Sequence, residues 1–263
     1  MGLPMNEDTL VVVHCYEGDR DLVHTLMHYY THHEAPVLLL SPSDSPVVIA
    51  HDGVECESAG KKGWKGRHTL RRQAAHWKLA LQRPQNWFFL NDADSLCLTP
   101  ELPEYLYSDP FKIWCNVLCH EGEHLESDRP NLNPPYFMHR SVLQVLSDNA
   151  RLLEQRPEPP KDDLGFGVEA IDGFYTYLAI NELSIPYENF PDGATTWPRG
   201  FDSVIEAARR GARMFHGVKN GTQLSFLQYG YNGWLIENAL RKQASDPRYE
   251  FIHDGPVTVS EEI

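Results

Sequence analysis

The sequence predicts an α/β fold, a single domain with a mostly parallel central sheet flanked by helices. Two observations carry this. Short apolar, β-branched or aromatic runs recur through the first half of the chain, at residues 10–13, 36–40 and 87–90. Continuous apolar runs of this length mark strands buried on both faces. Helix-start signals or helical spacing separate them, and strand–helix–strand alternation implies right-handed crossovers and parallel pairing.

Leu10-Val11-Val12-Val13 is the first strand. Gly18 and Asp19 break it, and Asp19 is an acceptable N-cap for a helix running to about His33. Pro36 to Leu40 is the second strand, stopped by Ser41-Pro42-Ser43-Asp44. Val47 to Ala50 is a candidate third. After Gly66, the residues Leu70, Ala74, Trp77 and Leu81 fall at helical spacing. Trp87 to Leu90 is the next buried strand. The second half is less regular: strands at Lys112 to Leu118 and Tyr136 to Met138, then a helix from about Ser141 to Gln155. A proline-rich stretch, Arg156 to Asp163, reads as a surface loop. A helix over Val168 to Glu182, a strand over Ala212 to His216 and a closing helix over Trp234 to Lys242 follow.

A chain of 263 residues can bury a substantial core without disulfides. Its 41% hydrophobic and 23% charged residues are ordinary for a soluble globular protein. Five cysteines, an odd number without small-scaffold spacing, read as reduced thiols of a cytoplasmic protein. Met1 to Thr9 lacks a basic region followed by an apolar core, and no apolar run approaches the roughly 20 residues of a bilayer span. No membrane anchor is therefore expected. The net charge of −14 disfavours non-specific attraction to nucleic acid or anionic lipid. Against that background Lys61, Lys62, Lys65, Arg67, Arg71 and Arg72 form a basic cluster that needs a local explanation.

Asn91-Asp92-Ala93-Asp94 directly follows the Trp87 to Leu90 strand. A buried parallel strand delivers the next loop to the carboxyl edge of the sheet, where open α/β folds bind ligands. Two carboxylates two residues apart at that edge can share a hard divalent cation, Mn²⁺ or Mg²⁺, that bridges to phosphates. The plainer alternative is that Asp92 and Asp94 cap a turn. Arg67 and Arg71, one helical turn apart, could reach phosphates or simply form a solvated face. Asp44 could accept a hydrogen bond from a base or ribose, or belong only to its turn. Cys115, Cys119, His120 and His124 are chemically suited to zinc, although strand alternation around Cys115 argues against it.

At Asp92-Ala93-Asp94 the chain resembles the metal-dependent glycosyltransferases of the GT-A fold, whose Asp-x-Asp motif follows a strand of this type. The resemblance extends along the chain as a pattern. It implies a Rossmann-type domain with a donor-binding half over about 9–100 and an acceptor and catalytic half over about 101–245. It places the nucleotide base at His14 to Gly18, with His14 and Tyr16 as donor contacts. It puts the basic helix from Gly66 to Arg72 against the donor, where Arg67 or Arg71 would serve. In Phe215-His216-Gly217-Val218-Lys219, it implies His216 as a further metal ligand and Lys219 on the diphosphate. In inverting members a carboxylate at a helix start deprotonates the acceptor, which points to Asp172 first and Glu169 second. The plainer alternative there is that acidic residues favour the first turn of a helix. If neither is a base, the resemblance implies a retaining mechanism with leaving-group assistance. The default donor is a UDP-sugar. The acceptor is left open among a saccharide, a small molecule, a protein and a hydroxymethylated DNA base. A rival enzyme class, the sugar-nucleotide nucleotidyltransferases, follows its first strand with a glycine-rich loop, whereas His14-Cys15-Tyr16-Glu17-Gly18 has one glycine. A non-catalytic domain binding carbohydrate or a partner is the third reading.

Overall fold

A computed structural model describes residues 2–4, 8–20, 22–23, 26, 35–62, 67–93, 95–97, 101–118, 131–154, 178–179, 182–191, 193–195 and 213–216. Its strands in chain order are β1 (Gly2–Pro4), β2 (Thr9–His14), β3 (Val37–Ser41), β4 (Val54–Ser58), β5 (Trp87–Asp92) and β6 (Ser95–Cys97). These are followed by β7 (Glu101–Pro103), β8 (Ile113–Leu118), β9 (Asn131–His139), β10 (Tyr187–Asn189), β11 (Gly193–Thr195) and β12 (Met214–His216). The principal helices are Arg67–Leu81 and Arg140–Asn149, the latter continued by the short Arg151–Glu154.

Seven strands form the main sheet in the order β10-β8-β9-β5-β2-β3-β4. Every pair is parallel except the two that β9 makes, with β5 and β8. The expected mixed α/β architecture is therefore present, with one reversed strand inside a parallel sheet. A second sheet, β11-β12-β6, has three strands, and β1 pairs with β7.

The apolar runs are continuous because both faces of the sheet are covered. Val11, Val13, Leu39, Phe89 and Phe137 pack on one face, joined by Met214 and Phe215 of β12. Leu10, Val12, Leu38, Leu40, Phe88 and Leu90 pack on the other, beneath Trp77 and Ala80 of the Arg67–Leu81 helix and Leu143 of the Arg140–Asn149 helix. Phe88 and Phe89 are fully buried on opposite faces, each contributing about 1.5–3 kcal/mol.

Several expected elements differ. Val47 to Ala50 is not a strand, and the third parallel strand is β4. Val47 and Ile49 are buried and Val48 exposed, which mimics strand alternation. The amides of the two buried residues instead donate to the Ser41 hydroxyl and Cys56 sulfur. Asp19 does not cap from outside the helix. It closes a 3₁₀ turn, Glu17–Asp19, where its carboxylate accepts from the Tyr16 amide at 3.0 Å. Arg20, Leu22, Val23 and Leu26 are helical. Of Val168 to Glu182, residues 178, 179 and 182 are described, in a π-helical turn. The closing helix lies outside the described residues. Among the described residues no helix is long and apolar enough to cross a membrane.

Candidate active site

The chain runs outward from β2 through β3 to β4, then returns to place β5 on the other side of β2. The strand order thus reverses between β2 and β5, and the carboxyl ends at such a switch point are where open α/β sheets bind ligands. His14 and Asp92 are the terminal residues of the two strands and stand opposite each other in register. The Arg67–Leu81 helix lays Arg72, Gln73 and His76 over this edge, and all three are buried.

Sequence reasoning singled out Arg67 and Arg71 from the basic cluster, whereas Arg72 is the arginine that is buried at this edge. Arg71 is exposed, whereas Arg72 retains 2% exposure. Its guanidinium donates to the Tyr16 hydroxyl, donates to the Lys61 carbonyl at 3.2 Å, and lies 4.9 Å from the Tyr16 ring centroid. Burial lowers its pKa, while Tyr16, Asp92 and Asp44 pull it back up. Burial likewise pushes the Tyr16 phenol up to about 12, against Arg72 and with Asp92. This edge therefore holds a buried cation within electrostatic reach of the Asp92 carboxylate. The signal was available in the helix phase, because Arg72, His76 and Ala80 recur four apart on the side facing the sheet. Of Arg67, the backbone is described, as the first residue of that helix.

His14 is 8% exposed and both its ring nitrogens are engaged internally. Its Nδ1 lies 3.0 Å from Nδ1 of His76, and its Nε2 lies 3.4 Å from Nε2 of Gln73. The ring planes are 11° apart and the centroids 5.1 Å apart, so with 3.0 Å between nitrogens the rings meet through their edges. His76 Nε2 faces the carbonyls of Ser41 at 3.3 Å and Ala59 at 3.1 Å. One proton arrangement satisfies every contact. His76 donates from Nε2, accepts at Nδ1 from His14 Nδ1–H, and His14 Nε2 accepts from Gln73. Both imidazoles are neutral in that arrangement. Burial agrees, holding His76 at about 4 and His14 well below its usual value, with the charges of neighbouring groups adding to it.

Asp44 lies in an exposed turn, where Oδ1 accepts from the Lys62 amide at 2.6 Å. It latches the turn after β3 to the segment after β4. Gly60 closes the same latch at φ +71°, and a Cβ there would stand 2.6 Å from Arg72 Cα. Cys115 is buried in β8, its sulfur directed at the Glu188 carbonyl, and burial raises its thiol pKa. It is a protonated core residue. Cys119, His120 and His124, the rest of the possible zinc set, lie outside the described residues, as do Asp94, Glu169, Asp172 and Lys219.

β6 is antiparallel to β12, with Ser95 directly opposite His216. The backbone register thus brings His216 beside the segment that carries Asp92 and Asp94. Among the described residues no three His, Cys, Asp or Glu side chains come together to hold a metal. That set excludes Asp94. The residues that flank the pair do fit a hydrated cation. Asn91 Oδ1 and Ser95 Oγ are buried and have no hydrogen-bond partner among the described residues, a state that calls for an occupant such as water or an ion.

No protein-family model matches the sequence, and no curated protein matches it. Among solved structures, an active-site mutant of LgtC superposes with a TM-score of 0.50 at 7% identity, covering 83% of this chain and 94% of that one. The fold is GT-A-like. The galactosyltransferase LgtC with donor and acceptor sugar analogs gives 0.49 at 11% identity, over 82% and 95% of the two chains. GlyE, a glycosyltransferase of Streptococcus pneumoniae TIGR4, gives 0.42 at 10% identity, over 89% and 64%.

Proposed function

We propose that the protein is a glycosyltransferase that moves a sugar from a nucleotide-sugar donor to an acceptor hydroxyl with a divalent metal. The observation that carries this reading is the switch-point edge formed by the carboxyl ends of β2 and β5. Asp92 at its edge begins an Asp-x-Asp segment that runs into register with His216, and buried Arg72 supplies a fixed positive charge beside it.

In this reading the nucleotide occupies the carboxyl end of β2, bordered by Tyr16 and the Asp44 turn. His14 supports that floor from beneath. Arg72 and Lys219 face the diphosphate, where fixed cations stabilise charge as it develops on the leaving group. Asp92, Asp94 and His216 would hold Mn²⁺ or Mg²⁺, which when bound supplies Lewis-acid stabilisation of the departing diphosphate. Asp172, or Glu169 in its place, takes the proton from the acceptor hydroxyl as it attacks the anomeric carbon. The donor is a UDP-sugar, the default for this fold. The acceptor is a saccharide, small molecule, protein or modified DNA base.

Nucleotide release on incubation with a panel of nucleotide sugars, with and without Mn²⁺, tests the proposal. Metal-dependent release from one donor, abolished in Asp94→Ala, is the expected result and names the sugar. No release and no metal-dependent donor binding across the panel would sink the enzymatic reading.

A further inference from the structure

The atoms on either side of Asp92-Ala93-Asp94 point to a function for their own residues. Asn91 precedes the segment in β5 and is 1% exposed. Its Nδ2 donates to the Phe89 carbonyl at 3.3 Å, and its Oδ1 accepts nothing from the described residues. Ser95 follows the segment as the first residue of β6, is fully buried, and its hydroxyl has no partner among them either. Burying a polar atom unpaired is destabilising. A leucine and an alanine are close in size to these two side chains and would leave no such atom unpaired. Of the buried side-chain atoms without a partner among the described residues, these two bracket one tripeptide.

Their chemistry is complementary. A carboxamide oxygen only accepts, so Asn91 Oδ1 needs an O–H or N–H brought to it. A serine hydroxyl both accepts and donates. Mg²⁺ and Mn²⁺ sites that bridge to phosphates retain several bound waters, which are donors. A metal-ligating histidine hands its second ring N–H to an outer acceptor. Ser95 is the residue registered opposite His216.

Resting on the metal-dependent reading above, we propose that Asn91 and Ser95 are positioning residues of the cation site. They form an outer shell that orients bound water and the ligand opposite Ser95, without touching the cation.

The test uses the full-length chain, Mn²⁺ titration followed by electron paramagnetic resonance, and thermal unfolding in the absence of metal. Ser95→Ala and Asn91→Leu are each expected to weaken Mn²⁺ binding by about 10- to 100-fold. Ser95→Ala is expected to unfold at the same or a higher temperature when metal-free, because the hydroxyl makes no bond among the described residues. Weakened Mn²⁺ binding together with a lowered metal-free midpoint in Ser95→Ala would instead assign a structural role and overturn the proposal. Unchanged Mn²⁺ affinity in both variants would overturn it too, leaving the two atoms to a buried water while the metal site stands. A wild-type chain that binds no Mn²⁺ would remove the metal-dependent reading and this inference together.

Discussion

The His14–His76 pair makes the stability of this protein fall on mild acidification. His76 is held at about 4, well below the 6.5 of a free imidazole, first by burial and then by Arg72. The unfolded chain therefore binds a proton that the folded chain refuses, and stability rises with pH across this window. The contribution is fully present above pH 6.5 and drains away as the pH falls towards 4. Between pH 7 and pH 5 His76 alone costs about 2 kcal/mol, or about 5 °C in the unfolding midpoint. His14 shifts in the same direction, chiefly by burial, and adds to the loss. Urea unfolding at pH 7 and pH 5 measures the sum, and His76→Gln isolates the pair from the other histidines. A glutamine offers an amide donor to the Ser41 and Ala59 carbonyls and a carbonyl acceptor to His14 Nδ1–H, yet does not titrate. The variant should lose about 2 kcal/mol less than wild type over the same two pH units. An identical loss in the variant, or imidazole NMR signals from this pair titrating near 6.5, would refute the neutral, edge-to-edge arrangement.

Three further outcomes follow from the same region. Arg72→Met should cost about 1–3 kcal/mol by urea unfolding, because the Tyr16 hydroxyl and the Lys61 carbonyl lose a buried donor. On the proposed function its donor affinity should drop by roughly 10-fold or more, read by a donor titration. Gly60→Ala forces a Cβ to 2.6 Å from Arg72 Cα at a positive φ, so urea unfolding should show a loss of about 1–3 kcal/mol. Arg140 donates to the carbonyls of Leu81 at 2.8 Å, Gln85 at 2.7 Å and Arg83, tying the end of the long helix to the start of β5. Arg140→Leu should cost about 2 kcal/mol by urea unfolding.

The parts legible in the sequence were those whose physics is local. Leu10 to Val13, Val37 to Leu40 and Trp87 to Leu90 are apolar at every position because each strand is covered on both faces. That requirement prints itself directly on the residues. The edge strand β4, Val-Glu-Cys-Glu-Ser, is half-exposed and carries no such imprint, so the alternating Val47 to Ala50 segment resembled a strand more than the strand did. The reversal of β9 was equally hidden, because direction leaves no mark in the composition of a buried run.

At the candidate site the same division holds. The position of Asp92-Ala93-Asp94 after a buried strand followed from sequence alone, since chain order fixes which end of a parallel strand the next loop leaves. Which of Arg71 and Arg72 turns inward depends on the rotation of the helix about its axis, and Trp77 and Ala80 set that rotation by packing on β2 and β5. Likewise, the meeting of His14 with His76 across 62 positions, and of Ser95 with His216 in one ladder, exists only once the strands are in register. Residue type determined what each of these groups can do, and tertiary packing alone decided which of them meet, because partners far apart in sequence are selected by the burial of the whole sheet.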